Sequence, residues 1–168
     1  MALTANNVNL ELIKFKRRMT WTFLRDNLYA DFFPMMAGED GVIRGPAGDG
    51  RVAAVAQDDI AAVAAAVLSD PPAHRQQAYS LTGPEALTLD EAAAVMTRTT
   101  GKRYTFENET IEQAYASRAG YHAPDWQLDA WVSTYTAIAS GELAGVTDDV
   151  ARVTGQQPLS LEQLLRSR

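Results

Sequence analysis

The stretch Met19-Thr20-Trp21-Thr22-Phe23-Leu24-Arg25-Asp26-Asn27 decides how this chain is read. From Met19 to Arg25 it is β-branched, aromatic and nearly continuously apolar. That is the composition of a buried parallel strand. Asp26-Asn27 ends the run. Beyond it, Leu28, Phe32 and Met35 recur at helical spacing, which predicts a helix over Asn27 to Met36. Strand, polar turn and helix in that order form a βα unit.

The same alternation continues downstream. Gly38 to Gly50 is rich in Gly and Pro, with Val42-Ile43-Arg44 as a short strand inside it. Val52 to Ala56 reads as a second apolar strand. Asp58-Asp59 supplies an N-cap for an alanine-rich helix over Ile60 to Leu68, and Asp70-Pro71-Pro72 stops it. Ala78 to Thr82 is another strand, closed by Gly83-Pro84. Thr88 and Glu91 form a capping box, in which each side chain takes an orphan helix donor. The helix it opens carries Leu89, Ala92, Ala93 and Met96 on one face and ends at Gly101, a C-cap glycine. Tyr104-Thr105-Phe106 is a strand. Thr110 with Gln113 and Ser160 with Gln163 open two more helices as capping boxes. Between them, Asp125 to Ser140 reads as a longer helix and Thr147 to Val153 as a short one ending at Gly155. Alternating units of this kind predict an α/β fold with a mainly parallel sheet.

Upstream, residues 1–18 form an atypical leader. Leu10 to Arg18 reads as a short helix whose basic end complements the helix dipole. The expected organisation is therefore a leader over 1–18, an α/β part over 19–109 and a helical, substrate-side lobe over 110–168.

Composition narrows the class. The chain has 168 residues, 46% of them apolar, enough for a real core. Its net charge is −6 and its pI about 4.9. An acidic surface repels phosphate backbones, so no nucleic-acid partner is expected. Cysteine is absent, which removes disulfides, thiolate nucleophiles and Cys-based metal sites. His74 and His122 are isolated, without neighbours at metal-ligand spacing, so no metal is expected. No Gly-x-Ser-x-Gly elbow occurs. No apolar run approaches the roughly 20 residues of a spanning helix, and Met1 to Leu12 lacks a signal-peptide pattern. The expectation is a cytoplasmic protein with no membrane partner.

A set of ordered motifs then resembles a known family. They are Trp21 to Asp31, Gly45-Pro46-Ala47-Gly48-Asp49-Gly50-Arg51, Val55 to Ala61, Tyr79-Ser80-Leu81-Thr82-Gly83-Pro84-Glu85, Ala123-Pro124-Asp125-Trp126, and Gly141-Glu142-Leu143-Ala144. Their order and spacing resemble NmrA-like atypical short-chain dehydrogenases, and within them the NAD(P)H:quinone oxidoreductase type 2 group. The resemblance runs from about Met19 to Arg166. It implies a Rossmann-like sheet, an NAD(P)H cofactor and hydride transfer to a quinone or similar small, flat electrophile. It also implies a departure. That family opens with a strand and a Gly-x-x-Gly-x-x-Gly turn holding the pyrophosphate. Nothing before Met19 supplies that turn. The expectation is a partial Rossmann-like parallel sheet lacking the N-terminal dinucleotide-binding strands, in a truncated chain that does not hold the cofactor unaided. Exposed strand edges would then favour homo-oligomers. A non-catalytic, dinucleotide-sensing module or an inactive fragment is the other reading.

Candidate residues follow from position. Arg25, Asp26, Asn27 and Tyr29 sit at a strand's carboxyl end, where open α/β sheets place ligands. In the resembled family this turn lies beside the nicotinamide and the substrate. Arg25, Asp26 and Asn27 are therefore candidates for the cofactor, Tyr29 and Trp126 for the substrate. Asn27 also reads as an Asx turn, and Tyr29 as packing. Trp126, Trp131 and Tyr135 recur at helical spacing, as core residues commonly do. The Tyr-x-x-x-Lys dyad of short-chain dehydrogenases is absent, because Lys14, Lys16 and Lys102 all lack a tyrosine four residues earlier. No catalytic residue is assigned. Gly45, Gly48 and Gly50 lead into an apolar strand rather than a helix, which reads as a turn and not a phosphate loop.

Overall fold

The computed structural model describes residues 20–168. The leader expected over residues 1–18 lies outside them. The decisive stretch forms β1 (Thr22–Asp26). It is followed by a 3-10 turn (Ala30–Phe32), α1 (Phe33–Met36), β2 (Val42–Gly45) and α2 (Gln57–Ser69). Next come β3 (Gln77–Leu81), α3 (Leu89–Thr100), β4 (Thr105–Asn108) and α4 (Ile111–Arg118). A 3-10 turn (Ala119–Tyr121) leads to α5 (Asp125–Ala139), α6 (Asp149–Thr154) and α7 (Leu161–Arg166).

The strands pair in parallel, as the alternation predicts. β1 lies against β3 with Thr22 opposite Gln77 and Asp26 opposite Leu81. β2 lies against β4 with Val42 opposite Thr105 and Gly45 opposite Asn108. Among the described residues these are two two-stranded sheets. Two buried clusters cover them. One gathers Phe33, Ile43, Leu89, Met96, Ile138 and Leu164 between β2, α3, α5 and α7. The other gathers Val55, Val63, Tyr79, Leu81 and Val150 where α2 and α6 meet β3.

Two local readings change. The helix expected over Asn27 to Met36 is only the 3-10 turn and the single turn of α1. Residues Leu28 to Ala30 are held extended against Val55. Ala30 donates its N–H to the Val55 carbonyl at 2.8 Å, and Val55 donates to Leu28 at 2.9 Å. Pro34 then sits in the first turn of α1, the place where a missing N–H does no harm. The strand expected over Val52 to Ala56 is two isolated bridges, Val52 to Leu87 and Val55 to Tyr29. Its two ends have different partners, so no ladder forms.

The capping boxes of Thr88, Thr110 and Ser160 all form. Helix α2 starts differently from expectation. It begins at Gln57, and neither Asp58 nor Asp59 caps it. Asp31 does so from a distance, accepting the Gln57 N–H at 2.9 Å. Asp59 instead accepts the N–H of Leu159 at 2.8 Å and anchors the segment leading into α7. Asp149 accepts the N–H of Ser80 at 2.6 Å, while Thr147 donates its hydroxyl to the Ser80 carbonyl. The N–H and C=O of one strand residue point to one side, so this pair closes the edge of β3 away from β1.

Glycines at close approaches fix the packing. A Cβ on Gly45 would overlap the ring of Tyr135, and one on Gly50 would overlap the Ile138 carbonyl. Gly45→Ala is expected to lower unfolding free energy by about 2 kcal/mol, the scale of overpacking a tight core. Gly120→Ala, with open space around its Cβ, is expected to stay within about 0.5 kcal/mol of the parent in the same urea titration. Burial raises the Asp59 carboxyl above its ordinary range, with Asp58 and Asp31 adding to it and the Leu159 N–H opposing. A folded pKa above the unfolded one means the native state loses stability as pH rises through the carboxylate range. Asp59→Asn keeps an acceptor for Leu159 and removes that charge. Its melting temperature relative to the parent is expected to be higher at pH 7 than at pH 4.

Candidate functional site

The turn after β1 opens on a cavity on the β2 side. The cavity holds about 720 Å³ and is lined by Leu28, Phe32, Met35, Met36, Val42 and Arg44, and across from them by Arg118, Tyr121, Trp131, Thr134 and Tyr135. One wall is therefore the extended turn and α1, and the other is the end of α4 with the middle of α5. Leu28 to Phe32 follow the carboxyl end of β1, the end at which open α/β sheets receive ligands. Aromatic rings and methionine thioethers dominate the lining, a surface suited to a flat apolar ligand.

The buried polar centre of this site is Arg118. It closes α4 and lies 9% exposed. Its guanidinium donates to Glu109 Oε2 at 3.0 Å, to the Ala114 carbonyl at 2.8 Å, to Ser117 Oγ at 3.1 Å and to the Arg44 carbonyl at 2.7 Å. It also lies over the Tyr135 ring, 5.1 Å from the centroid. Glu109 is itself buried. Burial pushes the Tyr135 phenol above its ordinary value, and Arg118 acts in the opposite direction. Arg44 spans the outer side, bound to Asp40 at 2.7 Å and Glu107 at 3.1 Å. Sequence inspection misses Arg118, Glu109 and Arg44. A buried arginine looks like any surface arginine until the fold surrounds it. Tyr135 and Trp131 are visible in the helical stripe of α5.

The residues singled out from the sequence fall in two places. Arg25 and Asp26 are exposed at the end of β1. Tyr29 donates its hydroxyl to Asp26 Oδ2 at 3.3 Å, and its ring meets Phe32 at 5.4 Å. Burial and the Asp26 charge raise the Tyr29 phenol pKa. Asn27 donates Nδ2–H to the Leu143 carbonyl at 3.1 Å and accepts the Leu28 N–H at 2.7 Å. Its side chain thus ties the turn to the Gly141–Ala144 segment. Trp126 stands 71% exposed in the first turn of α5 and is not part of the cavity wall. Trp131, further along the helix, is in the wall, edge-on to Tyr121 at 5.8 Å.

A dinucleotide's phosphate end does not fit the described residues. A pyrophosphate cradle needs free backbone N–H groups in a glycine turn that enters a helix. Here Gly45 lies against Tyr135 and Gly50 against Ile138. The Gly48 N–H is taken by Asn108 Oδ1 at 2.8 Å. The turn leads to the bridge at Val52.

Comparison with known proteins gives the kinship. The chain is 36% identical over 141 residues to NAD(P)H azoreductase of Xenophilus azovorans, covering 82% of this chain and 49% of that protein. It is 27% identical over 166 residues to quinone oxidoreductase 2 of Escherichia coli, covering 97% of this chain and 58% of that protein. The solved structure of that enzyme with NADPH superimposes with a TM-score of 0.86 at 26% identity, over 97% of this chain and 58% of the other. The chain belongs to the NmrA-like, quinone oxidoreductase 2-like family. NmrA itself, a negative transcriptional regulator solved with NADP, shares the fold at a TM-score of 0.66 and 15% identity, over 96% of this chain and 56% of the other. No family model matches the chain. It spans about half the length of the curated relatives it matches, 49% and 58% of the two named above.

Arg118 holds the cavity wall together. Arg118→Ala leaves Glu109 buried without a counter-ion, a change that costs about 3–5 kcal/mol. Urea denaturation is expected to show a loss of that size. Arg98→Ala, which removes an exposed partner of Glu162, is expected to cost less than about 1 kcal/mol.

Proposed function

We propose that this chain forms the electrophile side of an NAD(P)H-dependent reductase site, and that its cavity receives a quinone or a similarly small, flat, electron-poor ring. The observation carrying this reading is the aromatic and thioether-lined cavity beside the carboxyl end of β1, next to a buried arginine. Its relatives support it: one is named for NAD(P)H-dependent azo reduction and one for quinone reduction.

In such a reaction the reduced nicotinamide supplies the hydride. This chain's residues do the rest of the positioning. Phe32, Met36 and Trp131 cover the faces of a flat ligand and exclude water from it. Tyr135, kept protonated by burial, offers a neutral phenol at the wall. Arg25, Asp26 and Asn27 form the rim on the cofactor side, with Tyr29 between rim and cavity. The phosphates of the dinucleotide are held by groups other than those described. A binding module that holds ligand without turning it over is the second reading, favoured by the lack of a phosphate cradle among the described residues.

The test uses 1,4-naphthoquinone and the chain's own tryptophan emission. Saturable quenching is expected, with most of the response lost in Trp131→Phe and the binding lost in Thr134→Trp, which fills the cavity. Unsaturable quenching, or quenching indifferent to both substitutions, would remove the cavity from consideration. NADPH added to the quinone-loaded protein separates the readings. Quinone-dependent loss of nicotinamide absorbance supports the reductase, and binding without consumption supports the module.

A further inference from the structure

We infer that the Tyr121 phenol is the donor that binds a carbonyl oxygen of the flat electrophile, fixing the ring's orientation in the cavity and polarising the carbonyl that accepts electrons. This rests on the reading of the cavity as the electrophile site. It gives a role to a residue that neither the sequence pattern nor the Arg118 node singles out.

The state of each donor in the lining carries the case. An apolar cavity orients a ligand through a few placed polar groups, and a quinone offers only acceptors. Ser117 donates its hydroxyl to the Ala114 carbonyl at 3.2 Å, and Thr134 donates to the Ala130 carbonyl at 3.1 Å. Arg118 directs its donors to Glu109, Ser117 and the carbonyls of Ala114 and Arg44. Tyr135 is buried, with the Arg118 guanidinium over its ring. Three lining donors have no partner among the described residues: the Tyr121 hydroxyl, the Trp131 indole N–H and Nη1 of Arg44.

Geometry separates these three. Asp40 holds Nη2 of Arg44 and Glu107 holds its Nε, so the guanidinium fork is fixed and cannot turn to follow a ligand. Trp131 offers its face to the ligand. An N–H in the plane of a stacked ring cannot reach carbonyl lone pairs that lie in the parallel plane of that ligand. The Tyr121 ring stands at 75° to Trp131, with the centroids 5.8 Å apart. It is clear of the stack, and its O–H rotates about the C–O bond to meet an acceptor.

Tyr121 is also held in place for this task. It is 70% exposed, yet its edge contact with Trp131 sets the ring against the wall. It closes the 3-10 turn directly after Arg118, and His122 ends that turn in the left-handed conformation at φ 50°. Few residues other than glycine adopt that backbone, so the turn has one defined exit. A seated ligand covers the exposed ring and gives its hydroxyl a partner. The bond replaces water on both groups, so its net effect on affinity is modest. Its effect on the carbonyl is larger, because a donor aimed at that oxygen favours the negative charge that develops there.

The experiment follows the carbonyl band of 1,4-naphthoquinone by infrared difference spectroscopy on the full chain, beside affinity from tryptophan quenching. Bound quinone is expected to show the band at lower frequency than free quinone in an apolar solvent. Tyr121→Phe, which keeps the ring and its contact with Trp131, is expected to abolish most of that displacement and to weaken binding about fivefold. Tyr115→Phe removes an exposed phenol that donates to Asp129 outside the cavity, and is expected to change neither readout. An unshifted band in the parent chain overturns the inference without any variant. A shift that survives Tyr121→Phe, or that is lost instead in Arg44→Met or Tyr135→Phe, overturns it as well. Naphthoquinone that fails to bind overturns the electrophile-site reading and this inference with it. Naphthoquinone that binds with its carbonyls unshifted overturns only the role of Tyr121.

Discussion

The buried guanidinium of Arg118 is the contact on which the site's geometry depends. One side chain at the end of α4 reaches the carbonyl of Arg44 on β2, the carboxylate of Glu109 just after β4, and the ring of Tyr135 on α5. A guanidinium offers several donors in a fixed plane, so it can hold three elements at set angles where a lysine would hold one. Burying it is costly unless each polar partner is present. The same requirement fixes Glu109, which has to lie inside to balance it. The cavity exists because this node keeps α4 and α5 at a set distance from the β2–β4 sheet.

Packing closes the other side of the node. Tyr135 lies where Gly45 has no side chain, so strand β2 and helix α5 approach at backbone distance. The ring carries the buried cation on its face and belongs to the apolar cluster of Ile43, Leu89 and Met96. A glycine that reads as turn chemistry in the sequence is a packing residue here. The neighbouring Gly48, at φ 53°, is the one that serves the turn itself.

Carboxylates do a related task on the β1–β3 side. Asp31, Asp59 and Asp149 each accept a backbone N–H from a distant segment: Gln57, Leu159 and Ser80. Each satisfies a donor that regular structure leaves open at a helix start, a loop or a strand edge. The Asp59 and Asp149 bonds, together with that of Asn27 to Leu143, tie the segments after β4 onto the earlier α/β units. The turn after β1 is thereby held rigidly at the mouth of the cavity, a requirement for any site that positions a flat ligand.

What the sequence determined by itself is the set of features governed by neighbours along the chain. Strand β1 falls in the β-branched and aromatic run before Asp26, although it is half-buried to exposed rather than buried, and β3 overlaps the stretch from Ala78 to Leu81. The three capping boxes follow from residues three apart, and the C-caps at Gly101 and Gly155 from the left-handed conformation glycine accepts. The family was legible too, because it rests on the order of such motifs. Tertiary structure decided the rest. Whether Leu28 to Ala30 coil or extend depends on Val55, which competes for the same backbone groups. Whether Asp59 caps its own helix or holds Leu159 depends on a segment 100 residues away. Trp126 and Trp131 share one helix, but only the fold places Trp131 at the wall and leaves Trp126 exposed. The cavity's buried charge was hidden for the same reason. An arginine's sequence context says nothing of its solvent, and only the surrounding elements make Arg118 an interior cation.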